Sequence, residues 1–173
     1  MCRRNTSNKL MIVAHPDDES IFGGGALIFE PGWRVICLTN ANDEIRAKEF
    51  KQAMEYAGVR YEMWDYPDEY EGTFDDEEVK RDLKQVLNSG NYERVVTHNL
   101  HGEYGHSQHK ALSRILHSMQ LDNLYVFDMS DKMLPKHILK KKMKLLSHYE
   151  SQMYVIETLE PYILYEGLLR VTP

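Results

Sequence analysis

Residues 12–25, IVAHPDDESIFGGG, join a hydrophobic run to one histidine, a proline, three consecutive acidic residues and, a little further on, three glycines. The apolar run at residues 10–14 has the length and composition of a buried strand. His15 and the acids at residues 17–19 follow it directly. Like charges this close repel each other unless a positive charge lies among them. The stretch therefore predicts a strand whose carboxyl end leads into a cation site.

The chain as a whole has the composition of an ordinary soluble globular protein. It contains 173 residues, of which 42% are hydrophobic and 28% are charged, and this length suits one sizeable core. The net charge of −6 argues against nucleic acid as a partner, because proteins that bind the phosphate backbone are usually basic. The basic run at residues 136–144 is interpreted as the solvated face of a helix.

The cysteine count and the N-terminus favour a cytoplasmic protein. Cys2 and Cys37 are too few for a disulfide framework, which indicates a reduced chain. The positively charged residues 1–9 precede an apolar run that is too short for a signal peptide or a membrane span. Because the chain has no repeat and no linker, we expect residues 1–173 to form a single domain. A homo-oligomer is compatible with the sequence.

Short apolar runs alternate with segments of helical periodicity. Further strands are predicted at residues 35–39, 61–64, 94–97 and 124–127. Helices are predicted at residues 44–56, 75–87 and 109–119, and from Pro135 to about Gln152. This alternation predicts crossover connections and a Rossmann-like α/β fold, with a mostly parallel sheet flanked by helices.

The commonest strand order of such a sheet places the first and fourth strands side by side, and ligands bind outside the carboxyl ends of those strands. The first predicted strand leads into HPDDE, and the fourth leads into HNLHGEYGHSQH at residues 98–109. We therefore expect these two ionisable loops to meet at one point.

A metal ion would explain the acidic cluster. His15 and Asp18 are three residues apart and can direct a nitrogen and an oxygen toward one point. A histidine from residues 98–109 would complete a three-ligand site with an open position, the usual form of catalytic zinc. Zinc is the default for such mixed donors, although iron(II) and cobalt would fit them as well.

Four motifs resemble those of one enzyme family. The stretch AHPDDESIFGGGAL at residues 14–27 resembles the signature of the PIG-L/LmbE family of zinc-dependent N-deacetylases, and GHSQH at residues 105–109 is similar to its second element. Residues 45–59 resemble the family's Arg-x-x-Glu helix, and residues 141–152 its C-terminal helix with histidine, serine and glutamine. The matches run in the family's order and cover most of the chain.

The resemblance implies a role for each matched residue. The zinc ligands would be His15, Asp18 and His109, with Asp17 as the general base and Arg46 as a substrate-binding group. Metal-bound water can then act as the nucleophile near neutral pH. Asp17, which does not ligate the metal, can take the proton of this water and pass it to the leaving amine.

The resemblance also implies that His106 faces the developing oxyanion and that Tyr104 lies at the pocket mouth. One hydrogen-bond donor to such an oxyanion is typically worth about 3 to 4 kcal/mol. Where the family often has Pro-Asp between its two histidines, this chain has Ser107 and Gln108. An aspartate beside His106 would favour the imidazolium form, so Gln108 predicts a less often protonated His106 and activity at lower pH.

Simpler interpretations remain open. Arg46 can pair with Glu49 or with surface acids, Tyr104 can be a packing residue, and His98 or His101 can take the third ligand position. The glycines at residues 23–25 lack the spacing of a dinucleotide site and indicate close helix packing. A histidine near the end of the last predicted helix, at position 148, is interpreted as a structural partner.

The leading functional hypothesis is a hydrolase that removes the acetyl group from an N-acetylated amino sugar or glycoconjugate, of the N-acetylglucosaminyl type. One alternative is a metal-dependent amidohydrolase that acts on a non-sugar N-acyl substrate. Another is a Rossmann-like nucleotide-binding module without catalysis, which would have no need of Asp17.

Overall fold

The computed structural model describes residues 7–172, and its centre is one sheet in the order β3-β2-β1-β4-β5-β6. The strands are β1 (Lys9–Val13), β2 (Trp33–Thr39), β3 (Arg60–Tyr66), β4 (Arg94–Thr97), β5 (Leu124–Met129) and β6 (Glu166–Arg170). The first five are parallel, and β6 runs antiparallel to β5. This architecture confirms the predicted Rossmann-like, single-domain α/β fold. Cys2 lies outside the described residues.

Helices cover both faces of the sheet. They are α1 (Asp18–Phe29), α2 (Glu44–Ala57), α3 (Asp76–Asn88), α4 (Ser107–Ser118), α5 (Lys136–Leu146), α6 (Met153–Thr158) and α7 (Glu160–Leu164). Alternate side chains of β1 enter opposite hydrophobic clusters, because successive residues of a strand point to opposite faces. Met11 joins the cluster of α1, α2 and α5, whereas Ile12 joins that of α3 and α4. Such burial on both faces explains why β1 is apolar from Leu10 to Val13.

The ends of the predicted helices follow capping chemistry. The Asp43 side chain accepts hydrogen bonds from the backbone N–H groups of Ile45 and Arg46 and so begins α2. Gly58 ends the same helix in the left-handed conformation, with φ of 69°, as its position in the sequence indicates. The predicted and observed limits of α2 therefore agree closely.

The helix predicted from Pro135 to Gln152 is shorter than expected. Helix α5 ends at Leu146, and Tyr149 leaves the helical conformation with φ of −95° and ψ of 57°. The Tyr149 ring is fully buried and its hydroxyl donates to the Glu19 carboxylate. A tertiary contact in the core therefore overrides the helical periodicity of the sequence.

Strand β6, which the sequence analysis missed, connects the end of the chain to α1. Its first residue, Glu166, accepts hydrogen bonds from the backbone N–H groups of Gly25 and Ala26 at 2.8 and 3.0 Å. The buried Lys142 ammonium donates to the same carboxylate at 2.8 Å and to the Ile163 carbonyl at 3.0 Å. These bonds satisfy polar groups that burial would otherwise penalise.

The three consecutive glycines of α1 lie where neighbouring groups come close. A Cβ atom on Gly23 would lie 2.5 Å from Met11 Cε, and one on Gly25 would lie 2.6 Å from Glu166 Oε2. A Cβ on Gly24 would meet Lys142 Cγ at 3.1 Å. The structure thus supports the interpretation of these glycines as packing residues.

We expect the Gly25→Ala substitution to lower the free energy of unfolding by about 1 to 3 kcal/mol, because the new methyl group overpacks the contact with Glu166. Denaturant unfolding of this variant, of Glu166→Ala and of the double variant measures the effect. The cost of Gly25→Ala should fall in the Glu166→Ala background, where the clashing oxygens are gone. An equal cost in both backgrounds would contradict this explanation.

Candidate active site

The loops that follow β1 and β4 meet, as expected for neighbouring parallel strands. Three donor atoms converge there: His15 Nδ1, Asp18 Oδ2 and His109 Nε2. His15 Nδ1 lies 3.2 Å from His109 Nε2 and 3.5 Å from Asp18 Oδ2. Asp18 Oδ2 lies 3.2 Å from His109 Nε2. All three residues are buried.

The spacing of these donor atoms fits a metal ion. Ligands about 2.1 Å from a tetrahedral zinc ion lie about 3.4 Å from one another, and the three atoms here are separated by 3.2 to 3.5 Å. Two imidazoles and one carboxylate are also donors that zinc and related divalent ions accept. The residues present therefore fit the metal that the resemblance implies.

His98 lies in the same cluster, but its ring already makes two hydrogen bonds. The backbone N–H of Ala14 donates to His98 Nε2 at 3.0 Å, and His98 Nδ1 pairs with the Glu103 carboxylate. The ring also stacks on His109, with centroids 3.8 Å apart. Nε2 of His98 thus has no free lone pair for a metal, although the ligand atoms of His98 lie close to those of Asp18 and His109. His15, His106 and His109 form another such group, and both groups share His109. The other alternative ligand, His101, is exposed.

The remaining nitrogen of His109 faces a carboxylate. His109 Nδ1 lies 3.1 Å from Glu103 Oε1, although their geometry falls short of a hydrogen bond and Nδ1 is unpartnered among residues 7–172. Glu103 itself has a positive φ of 55°. A carboxylate on this side of the ring favours the tautomer whose Nε2 lone pair points toward His15 and Asp18.

Asp17 is buried beside the three donor atoms. Its φ of 118° is unusual for any residue with a side chain. The backbone N–H of Asp17 donates to Glu19 Oε2 at 3.1 Å, and its carbonyl accepts from Ser20 and Ile21 at the start of α1. Burial, and then the Asp18 carboxylate, raise the pKa of Asp17 well above its usual range. This arrangement holds a carboxyl group of raised proton affinity next to the cluster.

Two of the three acids in the cluster, Asp18 and Glu19, have hydrogen-bond partners of their own. Burial alone would raise the pKa of Asp18, but the charge of His109 and hydrogen bonds from His109 and His15 hold it well below its usual range. Burial raises the pKa of Glu19 to about 7, against the hydrogen bonds from Tyr149 and Ser20 that favour its carboxylate. Neither this role of Glu19 nor that of Tyr149 was predicted from the sequence.

His106 forms the N-cap of α4. The backbone N–H of Gln108 donates to His106 Nδ1 at 3.2 Å, so in the neutral ring the proton lies on Nε2. The His106 ring stacks on that of His109, with centroids 4.6 Å apart. Burial, followed by the charges of His15 and His109, lowers the pKa of His106 to about 4.

The structure gives causes for the low pKa of His106 besides the absence of an aspartate at position 108. The Gln108 side chain turns inward, and its Oε1 lies 2.8 Å from His15 Nε2. The orientation follows from α4, whose inward face carries both Gln108 and the ligand candidate His109. The low pKa of His106 therefore has burial and neighbouring histidines as its causes.

Arg46 and Tyr104 lie at the edge of the cluster. Arg46 Nη1 donates to Asp68 Oδ2 at 3.0 Å, and Nη2 donates to the Pro16 carbonyl at 3.0 Å. Its partner is thus Asp68, which the sequence analysis missed, and Glu49 instead binds Ser151. The Tyr104 side chain is half exposed, with its ring 6.1 Å from that of His106. Burial and nearby acids raise its pKa.

The histidine at position 148 lies against α2. Its ring centroid is 5.3 Å from that of Tyr56. The backbone N–H of Ser151 donates to Glu49 Oε1 at 2.7 Å, which fastens the segment after α5 to the same helix. These contacts support a structural role for the C-terminal motif.

Histidines and carboxylates at the switch point of a Rossmann-like sheet define an α/β protein with a candidate metal centre. A family model described as PIG-L, GlcNAc-PI de-N-acetylase, matches residues 10–120, which is more than half of the chain. The chain belongs to the PIG-L family.

Two relatives illustrate the family. An uncharacterized protein of Acanthamoeba polyphaga mimivirus is 40% identical over 184 residues, which cover 95% of this chain and 80% of that protein. The N-acetylglucosaminyl-phosphatidylinositol de-N-acetylase of Bos taurus is 28% identical over 130 residues, 67% of this chain. The match spans 51% of the bovine protein, so this chain corresponds to about half of it.

Solved structures share the fold at low sequence identity. Conserved protein TT1542 from Thermus thermophilus has a TM-score of 0.78 at 18% identity, covering 97% of this chain and 96% of that one. GalB, the 4-carboxy-2-hydroxymuconate hydratase from Pseudomonas putida, has a TM-score of 0.71 at 20% identity, with coverages of 96% and 98%. N,N'-diacetylchitobiose deacetylase from Pyrococcus horikoshii has a TM-score of 0.71 at 18% identity, with coverages of 96% and 84%. Similarity at this level shows the fold alone.

None of the helices within residues 7–172 combines the length and the apolar character that crossing a membrane requires.

Proposed function

We propose that residues 1–173 form a divalent-metal-dependent N-deacetylase domain that removes the acetyl group from an N-acetylated amino sugar or glycoconjugate. The observation that carries this proposal is the convergence of His15 Nδ1, Asp18 Oδ2 and His109 Nε2 within 3.5 Å of one another, with Asp17 beside them. Membership of the PIG-L family supports deacetylation. The activities for which the bovine relative and the chitobiose deacetylase are named support an N-acetylated sugar as the substrate.

In this proposal the ligands are His15, Asp18 and His109, and zinc is the expected metal. A divalent cation held there supplies Lewis acidity and makes water a nucleophile near neutral pH. Asp17 takes the proton of the attacking water and delivers it to the amine nitrogen as the C–N bond breaks. Its raised pKa suits a group that must both accept and donate this proton.

The other site residues act on the substrate. His106 donates from Nε2–H to the oxygen that becomes negatively charged, and its low pKa makes it a neutral donor. Tyr104, half exposed at the edge of the cluster, contributes its hydroxyl or its ring. Arg46 is the proposed substrate-binding group at the edge of the cluster, where its guanidinium is held by Asp68 and the Pro16 carbonyl.

Replacing His106 by alanine should lower kcat by about 100- to 1,000-fold, as loss of one oxyanion donor typically does. A ring nitrogen of His106 also lies close to His15 and His109, so little change in metal affinity would show that His106 acts as a donor and not as a ligand. Steady-state kinetics and zinc titration measure both quantities, with the exposed His101→Ala variant as the control. A kcat within a few-fold of wild type would contradict the oxyanion role.

The function is tested by incubating purified protein with N-acetylglucosamine derivatives and with non-sugar N-acyl amides, with and without a chelator, and measuring free amine. Chelator-sensitive release from the sugars supports the proposal. Release from the non-sugar amides alone would favour a different amidohydrolase. Nucleotide binding without any hydrolysis would favour a non-catalytic module.

We further propose that the protein works in a reducing compartment, the cytoplasm, and that its partner is a small molecule. Its one described cysteine, Cys37, is a buried free thiol, which supports a reducing environment. The excess of acidic residues disfavours nucleic acid as a partner.

A further inference from the structure

Gln108 uses every hydrogen-bonding group of its side-chain amide, although it is fully buried. Its Oε1 lies 2.8 Å from His15 Nε2 and accepts from the Glu69 backbone N–H at 3.1 Å. Its Nε2 donates to the carbonyls of Pro67 at 2.7 Å and Thr73 at 3.4 Å. One amide thus joins a ligand candidate to the connection between β3 and α3.

This connection, residues 67–75, is called the 67–75 loop. Asp68 Oδ1 lies 3.3 Å from His15 Nε2. The neighbour of Gln108 on α4, Ser107, donates from its hydroxyl to the Tyr70 carbonyl at 2.9 Å. The Tyr70 side chain is 82% exposed, and its ring centroid lies 5.8 Å from that of His106. Two adjacent side chains of α4 therefore hold an exposed aromatic ring next to the site.

We propose that Gln108 is a positioning residue that fixes His15 for metal binding and, together with Ser107, holds the 67–75 loop so that Tyr70 forms a wall of the substrate pocket. Because His15 Nε2–H donates to Gln108, His15 Nδ1 keeps its lone pair toward Asp18 and His109. The exposed Tyr70 ring suits the apolar face of a pyranose. Only this last point, the occupant of the pocket, rests on the proposed function.

Position 108 requires an amide, because fixing His15 needs a hydrogen-bond acceptor and holding the loop carbonyls needs a hydrogen-bond donor. A carboxylate at position 108 would still accept from His15 and from the Glu69 N–H, but it has no proton for the carbonyls of Pro67 and Thr73. Gln108→Glu therefore separates the two tasks. Gln108→Leu removes both contacts of Gln108 and leaves Asp68 Oδ1, 3.3 Å away, as the remaining acceptor for His15 Nε2–H. Ser107→Ala weakens the loop contact alone.

The test measures zinc affinity by competition with a chromophoric chelator and the hydrogen exchange of backbone amides in the 67–75 loop. Gln108→Leu should lower zinc affinity by about 10- to 100-fold and accelerate loop exchange. Gln108→Glu should keep zinc affinity at or above the wild-type value while loop exchange still accelerates. Ser107→Ala should accelerate loop exchange at wild-type zinc affinity, and with a sugar substrate should raise KM while kcat stays unchanged.

The exposed Gln52→Leu variant is the control and should match the wild type in both measurements. The visible spectrum of the Co²⁺-loaded protein gives a further readout, which should change in Gln108→Leu and not in Ser107→Ala. If Gln108→Leu does not fold, Gln108→Glu and Ser107→Ala decide: in both, loop exchange should accelerate while zinc affinity does not fall. The proposal would be overturned if the amides of the 67–75 loop exchanged at the wild-type rate in both Gln108→Glu and Ser107→Ala. It would also be overturned if both variants lost zinc affinity. Neither measurement requires hydrolysis, so failure of the deacetylase assay is a separate result.

Discussion

Replacing Asp17 by asparagine is expected to lower kcat by about 100- to 10,000-fold while zinc still binds, because the variant loses only the group that moves the proton. Asparagine has nearly the same shape as aspartate and tolerates a positive φ better than most residues. The backbone at position 17 should therefore keep its φ of 118°. The Asp17 N–H can still donate to Glu19. Thermal unfolding should accordingly stay near that of the wild type.

Steady-state kinetics on zinc-loaded protein, together with a zinc titration, measure this effect. The Asp65→Asn variant makes the same substitution at an exposed position and serves as the control. A kcat close to wild type in Asp17→Asn would assign the proton transfer to another group. Loss of zinc binding in this variant would place Asp17 among the ligands.

The His109→Gln substitution is expected to lower zinc affinity by more than the 10- to 100-fold typical of outer-shell changes, roughly 1,000-fold. His109 Nε2 is the donor that lies within 3.2 Å of both His15 Nδ1 and Asp18 Oδ2. Glutamine has similar volume, which limits cavity formation around the stacked His98 ring. Metal-dependent activity should fall with the zinc affinity.

Zinc competition titrations and circular dichroism separate loss of the metal from loss of the fold. The His101→Ala variant, on the same loop but exposed, should retain wild-type affinity. If instead His109→Gln binds zinc normally and a His98 variant does not, the ligand would be His98.

The sequence predicted the part of the fold that local patterns control. The apolar residues of β1 fill both hydrophobic clusters, and a strand with this pattern must lie inside a parallel sheet. The capping residues Asp43 and Gly58 set the ends of α2 where the sequence indicates. In such a sheet, ligands bind where the strand order reverses, between β1 and β4. This rule correctly predicted that His15 and His109, 94 residues apart in the sequence, lie close together.

What the sequence could not show depends on long-range contacts. The helix breaks at Tyr149 because the Tyr149 hydroxyl donates to the buried carboxylate of Glu19, 130 residues away in the sequence. Strand β6 likewise depends on the contact between Glu166 and α1. Asp68 follows the end of the predicted strand 61–64 by four residues, and an acid in the loop after a strand could have suggested its place at the site. The inward orientation of Gln108 has no such signal, because the rotamer of one side chain follows from packing.

His15, Asp18 and His109 are proposed to hold a single divalent ion. Anomalous diffraction at the zinc absorption edge, from crystals grown with excess zinc, would locate this ion. One strong peak is expected about 2.0 to 2.2 Å from His15 Nδ1, Asp18 Oδ2 and His109 Nε2, with the Asp17 carboxylate outside the coordination sphere. A pocket without zinc, or an ion held while His109 points away, would contradict this proposal.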